Sequence, residues 1–445
     1  MPYFIKRYPF FVLLFLALSV SSFSQGLNRP SFKFDFGSGP LKKGYTAVTT
    51  SEIYSDRKGF GFDFNTLPSF ENSVRGNALK RDDVSADKPF YFSVKVPEGN
   101  YMVKVLLGAK NGASKTTIKA ESRRLMVKDV TTAKGKFRTE TFIVNIKDRN
   151  ITTERKVGLK DRENNKLDWD DKLTLEFDLH PSVAAIEIIP VEDQITVFLA
   201  GNSTVVDQDD EPWASWGQMI PYFFKPGVAI ANHAESGLTL GSFLGSLRLE
   251  KILSVMKSGD YLFIEFGHND QKEKGPNDGA YNSYTERMKT FVNKFRAKGG
   301  IPVIVTSTSR RAFDGEGNVA STLGDYPDAA RKVAKELHVP LIDLNNMTKV
   351  FYKTLGEEGS KKAFVHYPAN SYPNQTKPLA DNTHFNTYGA YEISKMIVQG
   401  IIDENIELKK YIQHFEHFDP SSPDTLSLWN WPESPRSDVV KPDGN

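Results

Sequence analysis

The chain has 445 residues, 25% of them charged, and its 57 basic and 55 acidic side chains leave a formal net charge of +2. Without a long basic run, that balance offers no electrostatic footprint for nucleic acid or an anionic membrane surface. Cysteine is absent, which excludes disulfides, thiol catalysis, cysteine-ligated zinc and a lipid anchor on cysteine.

The length exceeds one typical domain and fits two units with ample core. The expected division is a leader at 1–24, a β-sandwich at 30–192, an α/β domain at 193–415 and an extended tail at 416–445. Lys6-Arg7, then the apolar run Phe10 to Leu18, then Ser22-Phe23-Ser24-Gln25 have the charge, apolar core and small-residue exit of a secretory signal. The run is short for a membrane span. A secreted or periplasmic protein is expected, with cleavage near Gln25 and no membrane insertion afterwards.

From Pro30 to Glu192 short segments alternate apolar and polar residues: Phe90–Val96, Tyr101–Leu107, Thr141–Ile146 and Leu173–Leu179, with Gly, Asn, Asp and Pro between them. Such a pattern predicts an all-β sandwich. Beyond Ile195 the period changes. Apolar runs at Ile195–Ala200, Tyr261–Phe266, Ile301–Thr306 and Val339–Leu344 alternate with helical spacing around Tyr284–Ala297 and Asp328–Leu337. This alternation predicts a parallel sheet covered by helices on both faces, with the site at the carboxyl ends of its strands. After His417, Pro420, Pro423, Pro432 and Pro435 predict an extended segment packed on the surface.

Four short blocks in the α/β half carry chemistry: Gly201-Asn202-Ser203-Thr204, Ala234-Glu235-Ser236-Gly237, Gly267-His268-Asn269-Asp270 and Asp381-Asn382-Thr383-His384. Serine is a weak nucleophile at neutral pH and needs a base within hydrogen-bond reach. Ser203 follows a strand and precedes helical spacing, so a strand-to-helix turn is expected to expose it. Asp381 and His384 are three apart in a polar stretch, where one loop can present an imidazole and the carboxylate that orients it. Gly237 can offer a backbone N–H and Asn269 a side-chain amide to an oxyanion. A lone serine in a glycine-rich turn is more often structural, and Asp381 with His384 would alone pass for a loop cap and a surface histidine. The order of all four blocks favours catalysis.

Those blocks resemble the SGNH (GDSL-like) hydrolase superfamily over roughly residues 195–415. Gly201 to Val205, Trp216-Gly217-Gln218-Met219 and Phe266 to Asp270 are most similar to rhamnogalacturonan acetylesterases. The resemblance implies a flavodoxin-like three-layer α/β fold with Ser203 as nucleophile, His384 as base, Asp381 as its orienting carboxylate, and Gly237 and Asn269 as oxyanion donors. It also implies hydrolysis of acetyl esters on a plant pectic polysaccharide or oligosaccharide, with no cofactor and no metal. Where the family usually has Asp before the serine, this chain has Asn202, which touches turn support more than proton transfer. Phe34-Asp35-Phe36-Gly37 and Gly59-Phe60-Gly61-Phe62 resemble galactose-binding-like modules. Another acetylated glycan such as xylan, a lipid ester, or a non-catalytic carbohydrate-binding role remain as alternatives.

Some neighbouring residues stay ambivalent. His268 fits a pocket wall or a structural partner, and Trp213 and Trp216 fit a sugar platform less well than a core. Arg310 and Arg311 are expected to be solvated, with a substrate carboxylate as the alternative partner. Asp207, Asp209, Asp210 and Glu211 lack the alternation of a calcium loop and are expected to be a solvated loop. Since every catalytic candidate lies beyond residue 193, a chain starting there is expected to hydrolyse a small ester unaided.

Overall fold

The computed structural model describes residues 1, 29–72, 78–436 and 438–443. The leader expected at 1–24 lies outside the described residues, Met1 apart. Among the described residues no helix is long and apolar enough to cross a membrane.

Residues 32–191 fold into two facing sheets. One has the order Arg138–Ile146, Gly99–Leu107, Ser182–Val191, Phe32–Phe36, Thr46–Val48, with Asp82–Ser85 and Ser69–Asn72 appended. The other runs Phe60–Asp63, Phe90–Lys95, Lys172–His180, Ser114–Ala120, Arg124–Thr132. Pairing is antiparallel except between Phe32–Phe36 and Thr46–Val48. The alternation read in the sequence points one face of each sheet inward, where Phe34, Phe36, Phe62, Phe92 and Phe177 interlock with Val103, Val105 and Ile186. Phe92 meets Phe34 and Phe36 edge-on at 5.1 and 5.2 Å, and each fully buried ring contributes on the order of 1.5–3 kcal/mol.

The second half is built on a five-stranded parallel sheet in the order Val228–Asn232, Ile195–Gly201, Tyr261–Glu265, Ile301–Val305, Leu341–Ile342. Side chains alternate across it, so each strand feeds two cores. Val197, Leu199, Phe263 and Val303 pack under Trp216, Phe351, Tyr388 and Ile397. Phe198, Ala200, Leu262 and Ile304 face the other way, against Phe243, Phe291 and Val333. Helices Leu344–Ser360 and Thr387–Asp403 therefore cover one face, and Arg248–Val255, Thr285–Ala297 and Tyr326–Leu337 the other. This is the expected three-layer α/β arrangement, preceded by a β-rich domain.

Two local expectations differ. The run Val339–Leu344 yields only the two-residue strand Leu341–Ile342, because Pro340 has no N–H to give a ladder. The helix expected directly after Ser203 is only the single turn Trp216–Met219. Residues 207–215 form a loop instead, and the β-rich domain holds it.

That contact is the main departure from two independent modules. The hairpin tip between Ser114–Ala120 and Arg124–Thr132 turns through Glu121 and Arg123, both with positive φ (54° and 62°), and enters the α/β half. Leu125 joins the core beneath the parallel sheet. Arg124 donates from Nε to Asp207 Oδ2 at 2.5 Å and from Nη2 to Asp168 Oδ1 at 3.0 Å. Arg123 reaches the carbonyls of Gln208 and Trp213 and pairs with Glu211 at 2.5 Å. Ser122 Oγ donates to Asp209 Oδ1 at 2.5 Å. The acidic run expected to be solvated is thus an interdomain anchor, with Asp207 and Glu211 buried. Further buried pairs, Lys166 with Glu235 (2.9 Å) and Arg248 with Glu163 (2.5 Å), extend the seam.

Candidate active site

Ser203 stands just past the carboxyl end of Ile195–Gly201, in a tight turn. The N–H groups of Val205 and Val206 donate to Asn202 O at 3.0 Å. Asn202 Oδ1 accepts from Thr204 N at 3.1 Å, and Thr204 Oγ1 lies 2.9 Å from Glu265 Oε1. An amide oxygen thus does at position 202 what a carboxylate oxygen would do, accepting from the N–H two residues on. Gln208 Nε2 bonds Ser203 O at 2.9 Å, so the loop held by the β-rich domain also holds the Ser203 backbone.

Asp381 and His384 lie on the strand Leu379–Phe385, paired antiparallel with Phe364–Tyr367, rather than in the loop expected. Their spacing has a physical basis. Asp381 Oδ1 accepts from Thr383 N (2.9 Å) and His384 N (3.0 Å), while Oδ2 meets His384 Nδ1 at 2.8 Å and Trp213 Nε1 at 3.4 Å. Burial would raise this carboxyl, but the hydrogen bond and charge of His384 and the two N–H groups outweigh it and hold it well below the usual carboxylate range. His384 Nε2 is 2.7 Å from Ser203 Oγ. With Nδ1 facing a carboxylate, the fitting tautomer carries its proton there and leaves Nε2 to accept from serine. Asn386 then caps Thr387–Asp403, accepting from Gly389 N at 3.0 Å, which fixes the strand end bearing His384.

The oxyanion candidates sit on the flanking strands' loops. Leu199 registers with Asn232, Gly201 with Glu265, and His233 N donates to Leu199 O at 2.9 Å, so the segments 233–238 and 266–269 emerge beside Ser203. Gly237 has φ +76°, a left-handed conformation that favours glycine. Asn269 Nδ2 gives one hydrogen to Leu238 O at 3.2 Å, and its second is available to a ligand.

The ambivalent residues now separate. Trp213 and Trp216 are buried; Trp216 Nε1 donates to Glu265 Oε2 at 2.5 Å, so both are core rather than platform. Arg311, expected in solvent, is buried and bonds Ser360 Oγ and Asn382 Oδ1 at 3.0 and 2.9 Å. Arg310 is half-buried and reaches His268 O at 3.3 Å. Burial, then the charges of Arg310 and His384, hold the His268 ring well below its ordinary pKa, so it is a neutral wall within electrostatic reach of His384.

Sequence reasoning missed Glu265 and Gln208. Glu265 ends a strand as an apolar run gives way to a glycine turn, and burial pushes its carboxyl up to about 7 despite hydrogen bonds from Trp216 and Thr204. One signal was present: Arg123-Arg124 and the acidic run 207–211 are complementary charges on the two halves.

Residues 199–390 match the GDSL-like lipase/acylhydrolase family, and residues 32–161 the β-agarase/YXIM esterase-like, galactose-binding domain-like family. The rhamnogalacturonan acetylesterase RhgT of Bacillus subtilis is 44% identical over 220 residues, covering 49% of this chain and 94% of RhgT. The chain belongs to the GDSL-like lipase/acylhydrolase family. It is an esterase. The uncharacterized esterase YxiM of Bacillus subtilis is 26% identical over 388 residues, 84% of this chain and 91% of YxiM. A crystal structure of YxiM covers 85% of this chain and 99% of its own at 25% identity, with a TM-score of 0.45.

Proposed function

We propose that this esterase is a secreted serine hydrolase that removes acetyl groups from a pectic polysaccharide of the rhamnogalacturonan type. The hydrogen-bonded chain from Asp381 through His384 to Ser203, flanked by the loops of Gly237 and Asn269, carries the mechanism. The similarity to RhgT supports the substrate class, and the leader-like first residues support export.

Ser203 Oγ attacks the acetyl carbonyl carbon while its proton passes to His384 Nε2. Negative charge develops on the carbonyl oxygen, where the N–H groups of Ser203 and Gly237 and the Asn269 amide receive it. The bond to the sugar oxygen breaks as His384 returns the proton to that oxygen, leaving acetyl-Ser203. Water then attacks the acetyl carbon while His384 takes its proton, and the bond to Ser203 Oγ breaks as His384 returns that proton to Oγ, releasing acetate and the free serine. Asp381 stays ionised throughout and stabilises the imidazolium.

Acetate release from acetylated rhamnogalacturonan and acetylated xylan, by the wild type and Ser203→Ala, tests both parts. The serine variant should lose roughly three orders of magnitude or more in kcat. Near-normal turnover by folded Ser203→Ala would overturn the mechanism, and equal kcat/KM on the two polymers would overturn the substrate assignment.

A further inference from the structure

The tail does more than cover the surface. Trp429 packs against Tyr391, with ring centres 4.5 Å apart and planes tilted by 36°, on the helix that follows His384. The chain then crosses to the β-rich domain, where Lys119 Nζ donates to Pro432 O at 2.7 Å and Ser434 Oγ at 3.0 Å. Arg436 bonds Asn165 O at 2.8 Å, and Asp438 N bonds Asp210 Oδ1 at 3.2 Å. It arrives beside the oxyanion loop, and Asp443 Oδ2 lies 3.3 Å from Lys160 Nζ while Asp443 Oδ1 lies 3.8 Å from Arg162 Nη1.

Three features make this a built position. A Cβ on Gly237 would meet Lys160 Nζ at 2.8 Å and Asp443 Cβ at 3.0 Å, so the carboxylate-bearing residue sits directly against the oxyanion glycine. Lys160 is pinned: its Nζ donates to Ser236 O at 2.5 Å and its N–H to Glu163 Oε2 at 2.8 Å, and Glu163 is itself fixed by Arg248. Among the described residues Asp443 supplies the only carboxylate within 4.0 Å of Lys160 Nζ. Lys166 is different, since Glu235 and Asp209 already pair with it, and Arg162 lies 3.7 Å from Glu235. Beyond them a cleft of about 570 Å³ continues between Arg162, Lys166 and the tail.

We propose that Lys160 and Arg162, both supplied by the β-rich domain, form a carboxylate-binding subsite that takes a uronate of the acetylated glycan, and that Asp443 occupies it until substrate displaces the tail. This rests on the pectic reading above. A galacturonate-type residue carries an equatorial carboxylate on a neutral ring, and an ammonium with a guanidinium beside it is the chemistry that selects such a sugar over a neutral pentose.

The test uses the full chain, with kcat and KM measured on acetylated rhamnogalacturonan, on acetylated xylan and on an aryl acetate, and with trigalacturonate as a competitor of the aryl ester. In Lys160→Gln with Arg162→Gln, kcat/KM on the uronate polymer relative to xylan should fall about tenfold or more, through KM, as loss of two charged hydrogen-bond donors predicts. Lys160→Arg should recover most of that ratio, and Asp443→Asn should lower KM on the uronate polymer alone. Trigalacturonate should inhibit the wild type competitively and the double variant at least about tenfold less. An unchanged ratio with unchanged inhibition overturns the subsite even if the wild type prefers rhamnogalacturonan. A wild type that treats the two polymers alike overturns the pectic reading, and the inhibition arm then decides the subsite by itself.

Discussion

At Asp381 one carboxylate performs two jobs that the D-x-x-H spacing makes compatible. Oδ1 closes a turn over Thr383 and His384 while Oδ2 holds the imidazole, so the backbone that positions the ring and the charge that orients it are one unit. Asn269 is proposed as a different kind of participant, a donor used mainly when charge develops. Asn269→Ala should lower kcat by roughly two to three orders of magnitude with little change in KM; an unchanged kcat on the aryl ester would reassign it to the turn at Leu238. Glu265 gives a prediction for stability. Its carboxyl rises from 4.5 to about 7 on burial, so the folded state keeps a proton that the unfolded chain has lost. The sign follows: this contribution is present below pH 4.5 and declines as pH rises towards 7, by about 3 kcal/mol in all. Urea unfolding at pH 5 and pH 8 should show a smaller pH-dependent difference in Glu265→Gln than in the wild type, and an identical difference would refute the assignment. The triad and oxyanion candidates were legible because their chemistry fixes residue type and order. Glu265 was not, because its partners Thr204 and Trp216 are contributed by other segments.

Among elements, the hairpin tip at 120–125 and the loop at 207–215 form one structure across the seam. Arg124 is buried between Asp207 and Asp168, and Asp207 Oδ1 also accepts from Asn232 Nδ2 at 2.8 Å. Removing one partner of a buried ion pair leaves an uncompensated charge, which typically costs about 3–5 kcal/mol. Arg124→Met should therefore be destabilised by about that amount in urea, and adding Asp207→Asn should recover part of it, because the two act on one network. Strict additivity in the double variant would show that the seam is not a coupled unit. Several strands and two helices were readable to within a few residues, since periodicity is local: Thr285–Ala297 and Tyr326–Leu337 nearly coincide with the expected helices, whereas Leu344–Ser360, Thr387–Asp403 and the strand Val228–Asn232 were not among the expected elements. The acidic loop was misjudged for the opposite reason. Its charges look solvated in a window of a few residues, whereas their partners, Arg123 and Arg124 at the hairpin tip and Lys166, lie far from it in the chain.

At the scale of the molecule, the two halves that the sequence divides near residue 193 share their polar interior. Beyond Arg124, Lys251 carries the seam to the far side, with Nζ at 2.7 Å from Glu98 and 3.0 Å from Asp148. Arg248 gives one donor to His233 O and another to Glu163, tying the segment that leads to Gly237 to the β-rich domain. A chain beginning at residue 193 would lose the partners of Asp207, Glu235, Arg248 and Lys251 and would expose to water the apolar surface on which Leu125 packs. The lost ion pairs and the newly exposed apolar surface, the latter at about 25 cal/mol per Å², weigh against a total stability of about 5–15 kcal/mol for a typical domain. The expectation drawn from the sequence, that such a chain hydrolyses a small ester unaided, is therefore replaced by its opposite. The truncated chain should lack cooperative thermal unfolding by circular dichroism and should not turn over an aryl acetate, whereas the full chain does both. A folded, active truncation would mean that the seam adds little to stability and that the β-rich domain is an accessory after all. If the truncated chain recovers folding and activity when residues 29–192 are added as a separate polypeptide, the seam itself is the source of the lost stability, because only noncovalent contacts would then have been restored.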